Sequence, residues 1–243
     1  MNLYSKLQLR AADGNPLRVA VIGAGKFASM YLAQVHKTPG IHVAAIADIN
    51  PENALENLHR IGWPQARYQA RSMDEAMKSE STWVTDDWEA VVADPRIDIV
   101  IEATGNPPAA VEHILGALSH QKHVINVTVE ADALCGPYLA QFARAKNVIY
   151  SLAYGDQPAL ICDLVDWARA AGFNVIAAGR GHKWMPHYMQ STPETVWGYY
   201  GLTPEQAERG GLNPKMFNSF LDGSKPAIES VAVCNATGLS APP

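Results

Sequence analysis

The chain has 243 residues, of which 48% are hydrophobic and 18% are charged, a balance typical of a folded globular protein rather than a disordered one. Its net charge of −5 and pI of about 5.9, without a run of lysine and arginine, exclude the basic surface that nucleic acids and anionic membranes require. No stretch approaches the roughly 20 apolar residues of a membrane span, and the first residues lack a signal-peptide core, so we expect neither membrane insertion nor secretion.

The three cysteines are Cys135, Cys162 and Cys234, an odd number at wide spacings. Because they form no C-x-x-C pair and no Cys/His cluster, the sequence indicates neither a disulfide scaffold nor a zinc site. His182 and His187 lie close together but have no acidic or cysteine partner at ligand spacing, so we predict no metal site there. Reduced cysteines fit a cytoplasmic protein.

Short apolar runs alternate with helical segments through the first two thirds of the chain, after a leading arm at residues 1–16. The predicted strands are 17–22, 42–47, 82–84, 97–103, 123–127 and 148–151. The predicted helices are 27–37, 51–59, a short helix after Ser72, 87–93, 108–119 and 131–146. Strands separated by helices in this way indicate βαβ units, and continuously apolar strands indicate a parallel sheet buried on both faces. The predicted fold class is therefore α/β, with a Rossmann-type doubly wound parallel sheet.

The pattern changes after Gly155. A long helix is predicted over 157–171 and a strand over 173–178, whereas 180–226 is rich in Gly, Pro and aromatic residues and has little periodicity. We therefore expect a smaller α+β region for substrate binding and dimerisation.

The sequence predicts two domains: a dinucleotide-binding Rossmann domain over 1–155 and a substrate-binding or catalytic region over 156–243. Apolar and aromatic residues between Trp184 and Tyr200 fit a homo-oligomer interface, most simply a dimer. They fit a lid over a small-molecule substrate equally well, and both alternatives stay open.

A glycine-rich turn follows the first predicted strand. Its six residues are Gly23, Ala24, Gly25, Lys26, Phe27 and Ala28. In a G-x-G-x-x-A turn the first glycine permits the tight bend, the second lets the backbone approach a pyrophosphate, and the small last residue lets the helix pack close to the strand. The amides and the positive dipole end of the helix then face the phosphates. The turn predicts NAD or NADP as the cofactor.

Asp48 ends the second predicted strand, 20 residues after Ala28. A carboxylate at this place accepts hydrogen bonds from the ribose hydroxyls and repels a 2′-phosphate, which favours NAD. A nearby basic residue such as Arg71 would instead seat that phosphate, so the choice between NAD and NADP stays open.

A second loop, Thr104, Gly105 and Asn106, follows the predicted strand 97–103. The carboxyl ends of parallel strands face the ligand crevice, so we expect these three residues to line the cofactor. The alternative is a plain strand-to-helix turn capped by Asn106.

Lys183 is the predicted catalytic residue, because an ammonium group stabilises a developing alkoxide and its pKa falls readily on burial. It lies in a glycine-flanked segment after the predicted strand 173–178, and the alternative is an exposed loop lysine. Arg180, in the same segment, is predicted to hold a substrate phosphate or carboxylate with its guanidinium, unless it forms a surface salt bridge.

Acidic residues at two further places are candidates for acid–base chemistry or for binding substrate hydroxyls. Glu130 and Asp132 follow the strand that should end nearest the nicotinamide, although Asp132 could instead cap the next helix. Asp156 and Gln157 open a helix at the predicted domain junction and are assigned to the substrate, with an N-cap as the alternative for Asp156.

Three segments carry a family resemblance: Asn126–Asp132, Ala153–Leu160 and Ser191–Trp197. They resemble the homoserine-dehydrogenase-like NAD(P)-binding oxidoreductases, and most closely the deoxyxylulose-phosphate reductoisomerase-like enzymes. The resemblance implies an NAD(P)-dependent oxidoreductase acting on a small hydroxylated acid or sugar phosphate, with isomerisation as a further step. It also points to Lys183.

The sequence departs from this family at one motif. Homoserine dehydrogenases carry an Asn-Lys pair after the strand that ends near Val127, where this chain has Val129-Glu130. Homoserine dehydrogenase and a non-catalytic nucleotide-binding module or inactive fragment are therefore kept as alternatives. Because family members usually run longer, the resemblance implies either a piece of a longer enzyme or a naturally shortened form. The carboxylate cluster that holds a divalent metal in true reductoisomerases has no counterpart in this sequence.

Overall fold

The computed structural model describes residues 2–241, and the side chain of Lys26, one of the six residues of the predicted phosphate turn, lies outside the described part. The chain divides into two compact units, of which the first ends at Ala153 and the second begins at Tyr154.

The first unit is built on a six-stranded parallel sheet. Its strands are β1 Leu17–Ile22, β2 Ile41–Ala47, β3 Trp83–Thr85, β4 Ile99–Glu102, β5 His123–Asn126 and β6 Tyr150–Leu152. The strand order is β3-β2-β1-β4-β5-β6, and all neighbouring strands are parallel. This order confirms the predicted doubly wound sheet and puts its switch point between β1 and β4, where a ligand crevice opens.

Helices cover both faces of this sheet. They are α1 Leu3–Ala12, α2 Lys26–Val35, α3 Pro51–Arg60, α4 Met73–Ser79, α5 Trp88–Ala93, α6 Pro107–Ser119 and α7 Val129–Ala145, with a 3-10 turn at Gln65–Arg67. Polar side chains at the predicted starts accept amide hydrogen bonds of the first turn, namely Asn50, Ser72, Asp87 and Asn106. Capping therefore explains why α3 to α6 begin close to where the sequence predicts.

The sheet is buried between two apolar layers. On one face Val21 of β1 packs with Leu32 of α2, and on the other Val100 of β4 packs with Ile114 and Leu118 of α6. Burial on both faces is what the continuous apolar strands predicted.

The prediction of a leading arm over residues 1–16 is wrong for most of that range, because Leu3–Ala12 form the helix α1. The Asn2 side chain accepts the Ser5 amide at 3.1 Å and caps the helix. Leu7 is 8% exposed, and its carbonyl oxygen would lie 2.1 Å from a Cβ added to Gly40. This long-range contact holds the helix against the start of β2. No local sequence pattern predicts it.

The second unit is helical in its described residues. It contains α8 Gln157–Ala170, α9 Val196–Tyr200, α10 Pro204–Arg209, α11 Pro214–Leu221 and α12 Ser224–Thr237, with a 3-10 turn at Pro186–Gln190. α8 packs on α12, and a small core gathers Val196, Trp197, Ala207 and Leu221. The short helices occupy the part of the chain in which the sequence shows little periodicity.

The strand predicted over 173–178 is wrong. These residues have no regular secondary structure, and Ile176 is 90% exposed. A strand needs a neighbour for its amide and carbonyl groups, and among residues 154–241 the structure places no strand beside it. Leu164, Trp167 and Phe173 nearby are also exposed.

Among residues 2–241, no helix combines the length and apolarity that crossing a bilayer requires. All three cysteines are free thiols. The cytoplasmic compartment stays a prediction.

Substituting Gly40 tests the contact that holds α1. Gly40 has φ +72°, and its missing Cβ leaves room for the Leu7 carbonyl. We expect Gly40→Ala to lower the free energy of unfolding by about 1–2 kcal/mol for the left-handed backbone and by about 1–3 kcal/mol more for the overlap.

Gly62→Ala is the matched control. Gly62 has φ +83° and nothing within 4 Å of an added Cβ. The free energy of unfolding of Gly62→Ala should therefore fall only by the amount due to the left-handed backbone. Urea denaturation of both variants measures the difference, and equal losses would contradict the contact.

Candidate functional site

The turn between β1 and α2 is held tightly against the loop after β4. Gly23 has φ +92°, and its amide donates to the Ala47 carbonyl at 2.8 Å. A Cβ at Gly23 would lie 2.8 Å from the carbonyl carbon of Ala103 and from the amide nitrogen of Thr104. Glycine is therefore required here by backbone conformation and by space.

Gly25 is the N-cap of α2 and supplies no side-chain cap, unlike the N-cap residues of α3 to α6. An added Cβ would meet nothing within 4 Å, so the space beside this glycine is open to a ligand. Ala28 is 1% exposed and packs into the apolar layer, which brings the helix close to the strand. Phe27 is partly exposed. The first-turn amides and the positive dipole end of α2 thus border an open space that suits a diphosphate.

Asp48 ties the ends of β1 and β2 together. Its Oδ2 accepts the Ala24 amide at 2.7 Å and its Oδ1 accepts the Asn50 amide at 2.9 Å. Asn57 donates to the Ala24 carbonyl at 2.9 Å and holds the turn from α3. Each carboxylate oxygen of Asp48 keeps a lone pair, so the group can still accept ribose hydroxyls.

A cavity of about 610 Å³ opens at the carboxyl ends of β1, β2 and β4. Its lining residues include Gly23, Gly25, Asp48, Ile49, Asp86, Trp88, Thr104, Asn106, Ala109 and His113. The Trp88 and His113 rings meet edge to face with centroids 4.8 Å apart and form one wall. The volume is within the usual range for cofactor sites.

Sequence reasoning missed part of this wall. Asp86 lines the cavity just before α5, whose N-cap is Asp87, which accepts the Ala90 amide at 2.9 Å. The signal that was available is position, since Asp86 follows a strand at the same sheet edge as Asp48. His113, which lies within α6, has no such signal.

The loop after β4 lies where the sequence predicts it. Thr104 and Asn106 line the cavity, and Gly105 has φ +68°. Asn106 also accepts the Ala109 amide at 3.3 Å, so it caps α6 while it borders the site. The two interpretations of Asn106 are therefore compatible.

Asp132 is not the cap of the helix after β5, and that alternative is wrong. α7 begins at Val129, and Asp132 is buried in its first turn. Its Oδ2 accepts the Tyr150 hydroxyl at 2.9 Å, and Asn126 donates to the same hydroxyl oxygen at 3.1 Å. Burial, and then the charge of Asp132, raise the pKa of Tyr150. Glu130, the other candidate, is half-buried at the start of α7.

The predicted catalytic lysine lies in the second unit. Lys183 is exposed in an irregular segment rather than at the end of a strand. Arg180 is committed to an ion pair, with its Nη2 2.7 Å from Oε2 of the buried Glu229. Part of the guanidinium fork therefore has a partner, and the role of Arg180 toward substrate stays a prediction.

Asp156 and Gln157 begin α8. The Asp156 side chain accepts the Gln157 amide at 2.9 Å and is the N-cap of this helix. The structure therefore gives Asp156 the capping role, and its role toward substrate stays a prediction together with that of Gln157.

A second cavity, of about 310 Å³, lies at the opposite edge of the sheet among Pro16, His36, His42, Trp63 and Arg67. That edge holds the amino ends of the strands, which is not where dinucleotides bind in doubly wound folds. Among residues 2–241, no three His, Cys, Asp or Glu side chains gather as metal ligands would.

Two family models match separate parts of the chain. Residues 17–126 match the oxidoreductase family with an NAD-binding Rossmann fold. Residues 155–243 match the catalytic domain of oxidoreductase DRL. The first match bears out the predicted nicotinamide cofactor. The oxidoreductase activity and the finer resemblance to reductoisomerase-like enzymes stay predictions.

Individual relatives match part of this chain and a smaller part of their own length. A homoserine dehydrogenase of Synechocystis sp. is 37% identical over 65 residues, which are 27% of this chain and 15% of that protein. The solved homoserine dehydrogenase of Thiobacillus denitrificans is 23% identical with a TM-score of 0.49, covering 64% of this chain and 34% of that one. Levoglucosan dehydrogenase in complex with NADH and L-sorbose is 21% identical with a TM-score of 0.44, covering 63% and 39%. The chain thus matches well under two thirds of the length of these relatives.

Two glycine variants separate the structural from the ligand-binding role of the turn. Gly23→Ala should lower both the thermal midpoint and the affinity for NADH, because its methyl group overlaps the Ala103 and Thr104 backbone. Gly25→Ala should leave the thermal midpoint within a degree or so of wild type, since its methyl group meets only open space. It should nevertheless weaken NADH binding by roughly tenfold or more, because that space is the diphosphate seat. Wild-type affinity in Gly25→Ala would show that the diphosphate binds elsewhere.

Proposed function

We propose that the chain is an NAD-dependent oxidoreductase acting on a small hydroxylated acid or sugar phosphate. The observation that carries the proposal is the start of α2, where Gly25 leaves the helix without a side-chain cap and opens a space beside Asp48. A dinucleotide's diphosphate fits the helix end, and its adenosine ribose fits the carboxylate.

The charge around the cavity favours NAD over NADP. Asp48 and Asp86 both line it, and its described lining residues include no lysine or arginine. Arg71, the alternative seat for a 2′-phosphate, is not among them. A 2′-phosphate would therefore meet carboxylates, which repel it.

The chemistry divides between the cofactor and the second unit. The nicotinamide, when bound, exchanges a hydride with a carbinol or carbonyl carbon. Lys183 is proposed to stabilise the substrate oxygen as negative charge develops, and Glu130 to exchange the proton or bind a hydroxyl. The free part of the Arg180 guanidinium, together with Gln157, is proposed to orient the substrate.

The domain boundaries, the further isomerisation step and a homo-oligomeric assembly belong to the same proposal. The match of residues 155–243 to a catalytic domain supports a cofactor domain up to about residue 155 and a substrate region after it. Val129-Glu130 in place of an Asn-Lys pair argues against homoserine as the substrate. The competing function is a nucleotide-binding module without turnover.

Titration with NADH and NADPH tests the cofactor site, and Trp88 in the cavity wall is a fluorescent reporter. We expect NADH to bind at least roughly tenfold more tightly than NADPH, because like charges within a site cost several kcal/mol. Asp48→Ser should weaken NADH by roughly tenfold through the loss of charged hydrogen bonds and should remove most of the discrimination.

Glu52→Gln, which removes an exposed charge from α3, is the control and should bind as wild type does. Binding of neither nucleotide, or a preference for NADPH that survives Asp48→Ser, would contradict this assignment.

Substrate turnover tests the catalytic part. In a panel of small sugar acids and sugar phosphates, we expect the protein to oxidise at least one compound with NAD. Lys183→Met should lower the kcat for that compound by roughly 100-fold or more. Cofactor affinity should not change, since Lys183 is assigned to the substrate. Lys215→Met, an exposed lysine of the same unit, is the matched control. NAD binding without turnover of any member would favour the non-catalytic module, and unchanged kcat in Lys183→Met would remove this lysine from the mechanism.

A further inference from the structure

A buried carboxylate lies next to the cofactor cavity and has no part in the proposed chemistry. Glu102 is the last residue of β4 and is 0% exposed. Among the described residues, the basic group beside it is the His113 ring, whose Nδ1 lies 3.6 Å from Oε1 and makes no hydrogen bond. A fully buried acid without a lysine or arginine partner requires other compensation.

Three consecutive amides of the loop after β4 supply that compensation. The Thr104 amide donates directly to Oε1 at 3.1 Å. The Gly105 amide donates to the Thr128 hydroxyl at 3.1 Å, and the Asn106 amide donates to the Thr104 hydroxyl at 3.3 Å. Both hydroxyls lie 2.5 Å from the Glu102 carboxylate, one on each oxygen. The whole loop is therefore organised around one carboxylate.

The direction of these hydrogen bonds suits an ionised carboxylate. An amide can only donate, so each threonine oxygen accepts a hydrogen bond from the loop and keeps its own proton available to donate to Glu102. The carboxylate thus faces donors on both oxygens, an arrangement that an ionised carboxylate satisfies and a protonated one does not. The cluster is thus built to hold a buried negative charge at Glu102.

The strand order places this charge under the nicotinamide half of the dinucleotide, an inference that rests on the proposed cofactor site. Asp48 marks the adenosine side at the end of β2, and the diphosphate lies at the turn after β1. The other nucleoside must then continue over β4 and β5, whose ends carry Glu102 and Thr128. Gly23 touches the loop at Thr104, so the diphosphate seat and the loop are adjacent.

We propose that Glu102 selects the redox state of the cofactor, because its buried charge favours the cationic ring of NAD⁺ over the neutral ring of NADH. In this proposal Glu102 does not touch the substrate. It positions the loop after β4 through hydrogen bonds and places a fixed charge beneath that loop. In a medium of intermediate dielectric constant, a charge at this depth should shift the ratio of the two dissociation constants by roughly three- to tenfold.

Glu102→Gln tests the proposal, because it keeps the shape of the side chain and removes its charge. NAD⁺ and NADH are titrated against wild type and variant at about pH 8, above the usual titration range of histidine. We expect the Kd of NAD⁺ to rise relative to that of NADH by roughly three- to tenfold in the variant. If Glu102 only positioned the loop, the substitution would weaken NAD⁺ and NADH binding by the same factor. An unchanged ratio of the two Kd values would therefore overturn the proposal.

Two control variants separate charge from geometry. Thr128→Val removes the two hydrogen bonds of the Thr128 hydroxyl, from the Gly105 amide and to Glu102, but keeps the carboxylate, so it should weaken both ligands by the same factor. Glu112→Gln removes an exposed charge from the same helix that carries His113 and should change neither Kd. A changed ratio in Glu112→Gln would attribute the effect to net charge rather than to Glu102.

A measurement on the wild-type protein keeps the proposal testable if Glu102→Gln does not fold. Benzamide adenine dinucleotide has the shape of NAD⁺ but a neutral ring, and we expect it to bind roughly three- to tenfold more weakly. Equal affinity for the two would overturn the proposal. Binding of neither NAD⁺ nor NADH would instead refute the cofactor site itself, so the two failures are distinguishable.

Discussion

The structure depends on the close approach of two strand ends at the switch point of the sheet. The backbone of Gly23 lies against Ala103 and Thr104 with no room for a Cβ, so the turn after β1 and the loop after β4 form one continuous surface. Asp48 fastens the end of β2 to the same turn through the Ala24 amide. Three strand ends are thus held as a unit, and the open space beside Gly25 is bordered by backbone amides that folding has already oriented. A site assembled in this way needs little reorganisation on binding, which is the physical basis of affinity for a flexible dinucleotide.

The same constraint explains how acidic groups are used at this edge. Asp48 and Asp86 are reachable from the cavity and bias it against a further phosphate, whereas Glu102 is fully buried and acts on the loop from below. Asp132, one strand further along, is occupied by the Tyr150 hydroxyl. Carboxylates at neighbouring strand ends therefore serve different purposes according to their burial and their hydrogen-bond partners.

Local sequence patterns were sufficient to predict the sheet and the phosphate turn. A strand that ends at Gly23 and a carboxylate at Asp48 are signals contained within one βαβ unit, so no long-range contact is needed to find them. The helix α1 was missed because its stability depends on Leu7 reaching Gly40. The strand predicted over 173–178 was wrong for the opposite reason, since its apolar residues suit a strand but find no partner strand in the described part of the second unit.

The residues around the cavity were harder to find because they come from elements distant in sequence. Trp88 and His113 meet only after α5 and α6 pack side by side. The hydrogen bonds of Glu102 join Thr104, in the loop after β4, to Thr128, in the loop after β5. Asp156 and Arg180 show that residue type alone does not identify a substrate-binding group. The Asp156 carboxylate caps a helix, and the Arg180 guanidinium forms an ion pair with Glu229, although either group could also bind a substrate.

Hydrogen–deuterium exchange with and without NADH tests most directly where the dinucleotide sits. We expect slower exchange of the amides in 22–29 and 103–106 when NADH is present, with no change in 35–43 at the opposite edge of the sheet. Unchanged exchange at the turn, or protection confined to 35–43, would contradict it.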